Sequence, residues 1–263
     1  MELIDSHCHL DDDRFDLDRD VVVARAKSLN INKIVIPATT ANRWAKVKQV
    51  ADTYDGVYPA YGLHPMFIEQ HAAIHIRELD EWLDREKAVA VGECGIDFYG
   101  SRIDEKWQKQ LLNEQLQLAV NHHLPVIVHV RKAMDEVISL LRKSALMGGV
   151  IHSFSGSLQQ AQQLIDLGFK LGIAATVGFE RAKKLRAVVA NVPDYGLLIE
   201  SDAPDQPGAD HRGERNEPAY IVEHLKTIAT LRNISDSELT EILERNTHQV
   251  FKFFRRLDPT YES

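Results

Sequence analysis

Short apolar runs recur eight times along the chain, at residues 3–7, 33–37, 57–62, 88–93, 125–129, 149–152, 169–173 and 196–200. Several are apolar at consecutive positions, as in Val126-Ile127-Val128, which is the pattern of a strand buried on both faces of a parallel sheet. Between the runs, apolar positions return at helical spacing. Residues 107–122 bring Leu111, Leu112, Gln115, Leu116, Leu118 and Ala119 near one stripe, and residues 133–145 do the same with Val137, Ile138, Leu140 and Leu141. Strand and helix therefore alternate throughout, which predicts an α/β fold, a (β/α)8 TIM barrel with its site at the C-terminal ends of the strands. No Gly-rich dinucleotide turn follows the first run, so an open doubly wound sheet fits less well. Residues 203–218 carry Pro204, Pro207, Gly208, Gly213 and Pro218 amid charges and read as a long loop after the eighth strand. Ser235-Asp236-Ser237-Glu238 has capping-box spacing and opens a last helix.

The chain of 263 residues suits one barrel domain over residues 1–263, since such barrels typically need about 250 residues. With 44% hydrophobic and 27% charged residues it reads as globular, and its two cysteines form neither a CxxC nor a disulfide framework, which suits a reducing, cytoplasmic setting. Met1-Glu2-Leu3-Ile4 has no basic-then-apolar leader, and no run approaches the ~18 apolar residues of a membrane span, so neither export nor membrane insertion is expected. The net charge of −8 argues against holding nucleic acid by bulk electrostatics. Acidic residues that ligate cations are neutralised by them, however, so a locally positive pocket remains compatible with that charge.

The chemistry-bearing residues gather at the ends of the apolar runs. In Asp5-Ser6-His7-Cys8-His9, two histidines two apart on extended backbone point the same way and suit one cation, with Cys8 facing the core. A hydrogen-bonded core histidine is the ordinary alternative. Glu93 closes the fourth run, where a carboxylate needs either a cation, which it can bridge to a second, or an arginine such as Arg131. His129 and His152 end the fifth and sixth runs. Asp202, just past the eighth, suits a ligand that also accepts a proton from water. Glu200 is expected to orient a histidine through its other ring nitrogen. His64, Arg131 and Asn216 are candidates for substrate contact, His64 in preference to metal binding, and Arg131 alternatively for a structural ion pair. Arg181, Lys183, Lys184 and Arg186 read either as a track for a phosphate backbone or as a solvated helix face. The remaining histidines, at 71, 75, 122, 123, 211, 224 and 248, lie away from the strand ends and are assigned no chemistry.

These motifs, together with Gly62-Leu63-His64-Pro65, Gly92-Glu93-Cys94-Gly95-Ile96-Asp97-Phe98, His152-Ser153-Phe154-Ser155-Gly156, Glu200-Ser201-Asp202-Ala203-Pro204 and Arg215-Asn216-Glu217-Pro218, give a chain that resembles the TatD family of metal-dependent hydrolases among the amidohydrolase-like metallo-TIM barrels. The resemblance implies that His7, His9, Glu93 and Asp202 hold one divalent cation and that Glu93, His129 and His152 hold a second. It also implies deoxyribonuclease activity, with DNA as substrate, Asp202 and Glu93 as catalytic residues and Asp202 taking the proton of the attacking water. Ser153 and Ser201 depart from the family's frequent cysteine and threonine, at no ligand position. Such a donor set accepts Zn²⁺, Mn²⁺, Fe²⁺ or, less readily, Mg²⁺. The alternatives are hydrolysis of a small-molecule ester or C–N bond, and a non-catalytic metal-containing barrel that binds nucleic acid. Glu93 in place of the bridging lysine common in amidohydrolases favours the TatD-like reading. No obligate protein partner is indicated.

Overall fold

The computed structural model describes residues 2–99 and 104–254. Its strands are β1 (Leu3–Asp5), β2 (Ile31–Pro37), β3 (Val57–Ala60), β4 (Val91–Asp97), β5 (Val126–Arg131), β6 (Gly149–Ile151), β7 (Phe169–Ile173) and β8 (Leu197–Ile199). Helices α1 (Arg19–Ser28), α2 (Trp44–Thr53), α3 (Ile74–Arg85), α4 (Glu105–Asn121), α5 (Met134–Lys143), α6 (Leu158–Asp166) and α7 (Lys183–Asn191) fall between successive strands, and α8 (Ile221–Arg232) and α9 (Asp236–Val250) follow the last. β1 to β3 and β4 to β8 pair in parallel with their sequence neighbours. Backbone bonds close the two seams. Val89 donates to Pro59 and Gly92 to Tyr61 between β3 and β4, while Ser6 donates to Ile199 and Asp202 to His7 between β8 and β1. The result is the TIM barrel that the alternation predicts.

The apolar stripes face the barrel wall as expected: Leu111, Leu112, Leu116 and Ala119 of α4 and Val137, Ile138 and Leu141 of α5 are buried. Ser235 accepts a hydrogen bond from the Glu238 N–H at the start of α9. Inside the barrel, Val35, Ala60, Ile127, Val150 and Leu198 form a lower layer that packs on Phe251, the fully buried residue that ends α9. Asn246 fastens α9 beneath β8, its amide donating to the carbonyls of Asp194 and Leu197 at 2.7 and 2.9 Å. Among the described residues no helix is long and apolar enough to cross a membrane.

The strand ends differ from the sequence expectation at the fourth run. β4 begins later and ends later, so Glu93 is its third residue rather than its exit. Between the pairs Val91–Val126 and Cys94–Val128, β4 carries one residue more than β5. Such an irregularity re-aims side chains, and here Glu93 turns inward. The close approach also requires Gly95, whose φ is +147° and whose Cβ would lie 2.0 Å from the His129 carbonyl oxygen. Because Phe251 is the one fully buried aromatic of the lower layer among the described residues, Phe251→Ala is expected to destabilise the fold by about 3–5 kcal/mol. The midpoint of urea unfolding checks this, and an unchanged midpoint would contradict the role given to Phe251.

Candidate metal centre

β1 ends at Asp5, and the following residues, still bonded to β8 and β2 through the Ser6 and Cys8 N–H groups, carry His7 and His9 over the barrel mouth with their Nε2 atoms 3.3 Å apart. Cys8 between them is fully buried, its Sγ donating to the Ala203 carbonyl at 3.6 Å. Glu93 divides its oxygens. Oε2 lies 3.2 Å from His7 Nε2 and 3.5 Å from His9 Nε2. Oε1 lies 3.0 Å from His64 Nε2, 3.2 Å from His129 Nδ1 and 3.7 Å from His152 Nε2. His7 and His152 stack with ring centroids 3.6 Å apart. Asp202, held at φ +57° just beyond β8, turns Oδ1 to within 3.7 Å of His7 and His9 and 3.6 Å of His152.

A second layer of acceptors decides which ring nitrogen each histidine offers. His9 Nδ1 faces the Pro37 carbonyl at 3.3 Å, His152 Nδ1 lies 2.9 Å from Glu200 Oε1, and His129 Nε2 lies 3.0 Å from Asp97 Oδ2. Each of those nitrogens is thereby set to keep the ring proton, so the opposite nitrogen faces the centre, in His152 as a lone pair only once its second proton is lost. Glu200 stands beside His152 at the end of β8, wholly buried. It also accepts from the Ser153 N–H at 2.6 Å and from Ser6 Oγ at 3.4 Å. Gly172 makes room for this carboxylate, since a Cβ there would stand 2.1 Å from Glu200 Oε2.

Electrostatics fit a cation. Burial opposes ionisation of Glu93, but His64, His7, His152 and His129 outweigh it and hold its carboxyl well below the usual range. Burial also opposes protonation of His152, yet Asp202, Glu200 and Glu93 prevail and raise it to about 10. The protein without metal thus stores a proton where positive charge is wanted. Donor atoms of His7, Glu93 and His152, and of His7, His9 and Asp202, lie within 4.8 Å of one another in each group, and the buried Glu93 Oε2 has no hydrogen-bond partner. The residues present suit a divalent metal.

Two expected substrate contacts need revision. His64 accepts the Met66 N–H at Nδ1, so its proton sits on Nε2 and is donated to Glu93 Oε1. Burial pushes its pKa down to about 4 despite Glu93, and the neutral ring orients that carboxylate with no nitrogen left for substrate. Asn216 is wholly buried and spends its amide on the carbonyls of Ser201, Asp205 and Gln206 while its oxygen accepts the Glu217 N–H, so it shapes the loop after β8. Arg131 is exposed, lies 3.4 Å from the Tyr99 ring centroid and lines the cavity over the centre, so it is not the partner of Glu93. Lys183 and Lys184 are exposed on α7, Arg181 lies against Phe179, and Arg186 donates to the Val177 carbonyl. Asp97 and Gln206 were not singled out in the sequence. Asp97 had a signal, four residues after Glu93 and so on the same strand face; Gln206 lies in an irregular loop and had none.

Residues 4–252 match the model of the family described as TatD related DNase. The metal-dependent hydrolase YjjV of Escherichia coli is 39% identical over 94% of this chain and 97% of its own. YabD of Bacillus subtilis, also a metal-dependent hydrolase by name, is 31% identical over 95% of this chain and 99% of its own. The crystal structure of YjjV superposes with a TM-score of 0.92 over 95% of this chain and 97% of that one. A TatD family hydrolase from Entamoeba histolytica, 22% identical, shares the fold with a TM-score of 0.82 over 95% and 98%.

Because His152 must lose its proton before Nε2 can ligate a cation, metal binding is expected to release protons and to weaken as pH falls below about 10. Calorimetry of Mn²⁺ binding in buffers of different ionisation enthalpy checks this, and zero proton release would contradict it. Asp97→Asn, which removes the charge behind His129, is expected to weaken Mn²⁺ binding about 10–100-fold with the fold retained.

Proposed function

Since the chain belongs to the family of TatD-related DNases and is a metal-dependent hydrolase, we propose that it hydrolyses phosphodiester bonds in DNA at a centre of two divalent cations. The observation that carries this reading is the division of Glu93, one oxygen toward His7 and His9 and the other toward His129 and His152. A carboxylate split in this way suits a bridge between two ions about 3.5–4 Å apart. In this reading His7, His9, Glu93 and Asp202 hold one cation and Glu93, His129 and His152 the other. Bound cations supply the charge that polarises water and a phosphoryl oxygen.

The chain's own residues do the rest. Asp202, whose carboxylate stands beside His7, His9 and His152, takes the proton of the attacking water. Arg131 stands at the rim on its Tyr99 platform and holds a phosphate oxygen of the substrate. The shape of the mouth supports an extended substrate: a cavity of about 560 Å³ over the centre shares His9, His64, Met66 and Asp205 with a neighbouring one of about 390 Å³. Together they form a trough rather than a closed pocket for a small molecule.

Glu93→Ala and Asp202→Ala are each expected to abolish Mn²⁺-dependent hydrolysis of DNA while thermal unfolding stays cooperative. The wild-type protein is expected to cut DNA faster than simple esters, amides or phosphomonoesters presented with Mn²⁺, Mg²⁺ or Zn²⁺. Activity confined to amides or carboxylic esters would overturn the choice of DNA, and full activity in either variant would remove the proposed mechanism.

A further inference from the structure

Asp202 uses its two oxygens differently. Oδ1 is the oxygen nearest to His7, His9 and His152, at 3.7, 3.7 and 3.6 Å. Oδ2 accepts a hydrogen bond from Gln206 Nε2. The Gln206 amide also meets Ser153 Oγ, which accepts from Nε2 at 3.1 Å and lies 3.2 Å from Oε1, and Thr176 Oγ1 donates to Oε1 at 3.5 Å. Its main chain is fixed as well, at φ +49°, with its carbonyl accepting from the buried Asn216 amide at 3.3 Å. Gln206 is thus pinned by residues after β6, β7 and β8 at once.

We propose that Gln206 is a positioning residue that keeps Asp202 a one-oxygen ligand and so sets which divalent cations the centre accepts. Chelation by a carboxylate needs both oxygens at similar distance from the ion, and an amide donor on Oδ2 holds that oxygen back. Ca²⁺ takes 6–8 oxygens and commonly binds carboxylates through both, whereas smaller ions with nitrogen-rich shells take one. The other carboxylates at the centre cannot decide the matter. Glu93 is divided between two groups of histidines, Glu200 backs His152 and Asp97 backs His129. Asp202 is the one left among the described residues, and Gln206 governs it. Ser153 acts through Gln206, so this departure from the family's frequent cysteine reaches a ligand after all.

The inference rests on the cation-binding part of the proposed function and not on DNA as substrate. Its test is calorimetry of MnCl₂ and CaCl₂ binding to the metal-stripped full chain at one pH, for the wild type, Gln206→Leu, Ser153→Ala and the double variant. The wild type is expected to favour Mn²⁺ over Ca²⁺, and Gln206→Leu to reduce that preference about tenfold or more. Ser153→Ala is expected to reduce it about threefold, with no added effect in the Gln206→Leu background. Gln206→Met, which keeps the length without the donor, takes the place of Gln206→Leu should that variant not fold. A preference within twofold of wild type, an equal loss of both affinities, or a Ser153→Ala effect undiminished in the double variant would overturn the inference. No substrate is present, so failure to cut DNA sinks only the proposed function, and an unchanged ion preference sinks only this inference.

Discussion

A carboxylate taken out of water costs several kcal/mol unless positive charge answers it, and Glu93 is 1% exposed. The mouth of the barrel is organised around that requirement. Five imidazoles surround the two oxygens, from residues after β1 (His7 and His9), after β3 (His64), on β5 (His129) and after β6 (His152), and one of them, His152, retains a proton to about pH 10. A divalent cation would supply more charge than that proton. The same demand explains the backbone nearby. Gly95 lets β4 approach β5 closely enough to turn Glu93 inward, and Gly172 leaves space for the acid behind His152.

The donors would be loose without the residues behind them. Glu200 ties three strand exits together by accepting from Ser6 and Ser153 while it faces His152. Pro37 and Asp97 do the equivalent for His9 and His129 from β2 and β4. The loop of residues 203–218 is strapped to the segment after β1 by Arg14 on Asp205 at 2.8 Å, Arg215 on Asp18 at 2.7 Å, and Arg25 on Glu217. Exposed pairs of this kind contribute little singly. The buried Asn216 amide, bonded to two carbonyls of that loop and to the Ser201 carbonyl just before it, is the firmer anchor.

The negative net charge of −8 weighs less at the mouth than it does in the sum. Asp11, Asp12 and Asp13, beside the neighbouring cavity, are paired with Arg43, Arg14 and, for Asp13, also Lys46. Paired acids repel an anionic substrate far less than free ones, and cations held by Glu93 and Asp202 would cancel the charges of those two. On the proposed reading, a DNA strand would meet at this rim the Arg131 guanidinium on its aromatic support.

The alternation of apolar runs with amphipathic stretches was enough to predict the barrel, because a parallel strand buried on both faces and a helix with one apolar stripe leave different periodicities in the chain. The position of His7, His9, His129, His152 and Asp202 after those runs likewise made their convergence legible, since a closed parallel barrel brings all strand C-termini to one face. What remained hidden depends on distances of a few ångströms between residues far apart in sequence. His64 reads as a substrate contact until the Met66 N–H takes one ring nitrogen and Glu93 the other. Asn216 reads as a substrate ligand until the loop closes over it, and Gln206 carries no motif at all. Periodicity specifies which face a side chain occupies, but hydrogen-bond direction is set by whichever donor or acceptor the fold brings opposite. The chain alone determined the barrel and the residues available at its mouth; only the tertiary structure decided which nitrogen or oxygen each of them offers.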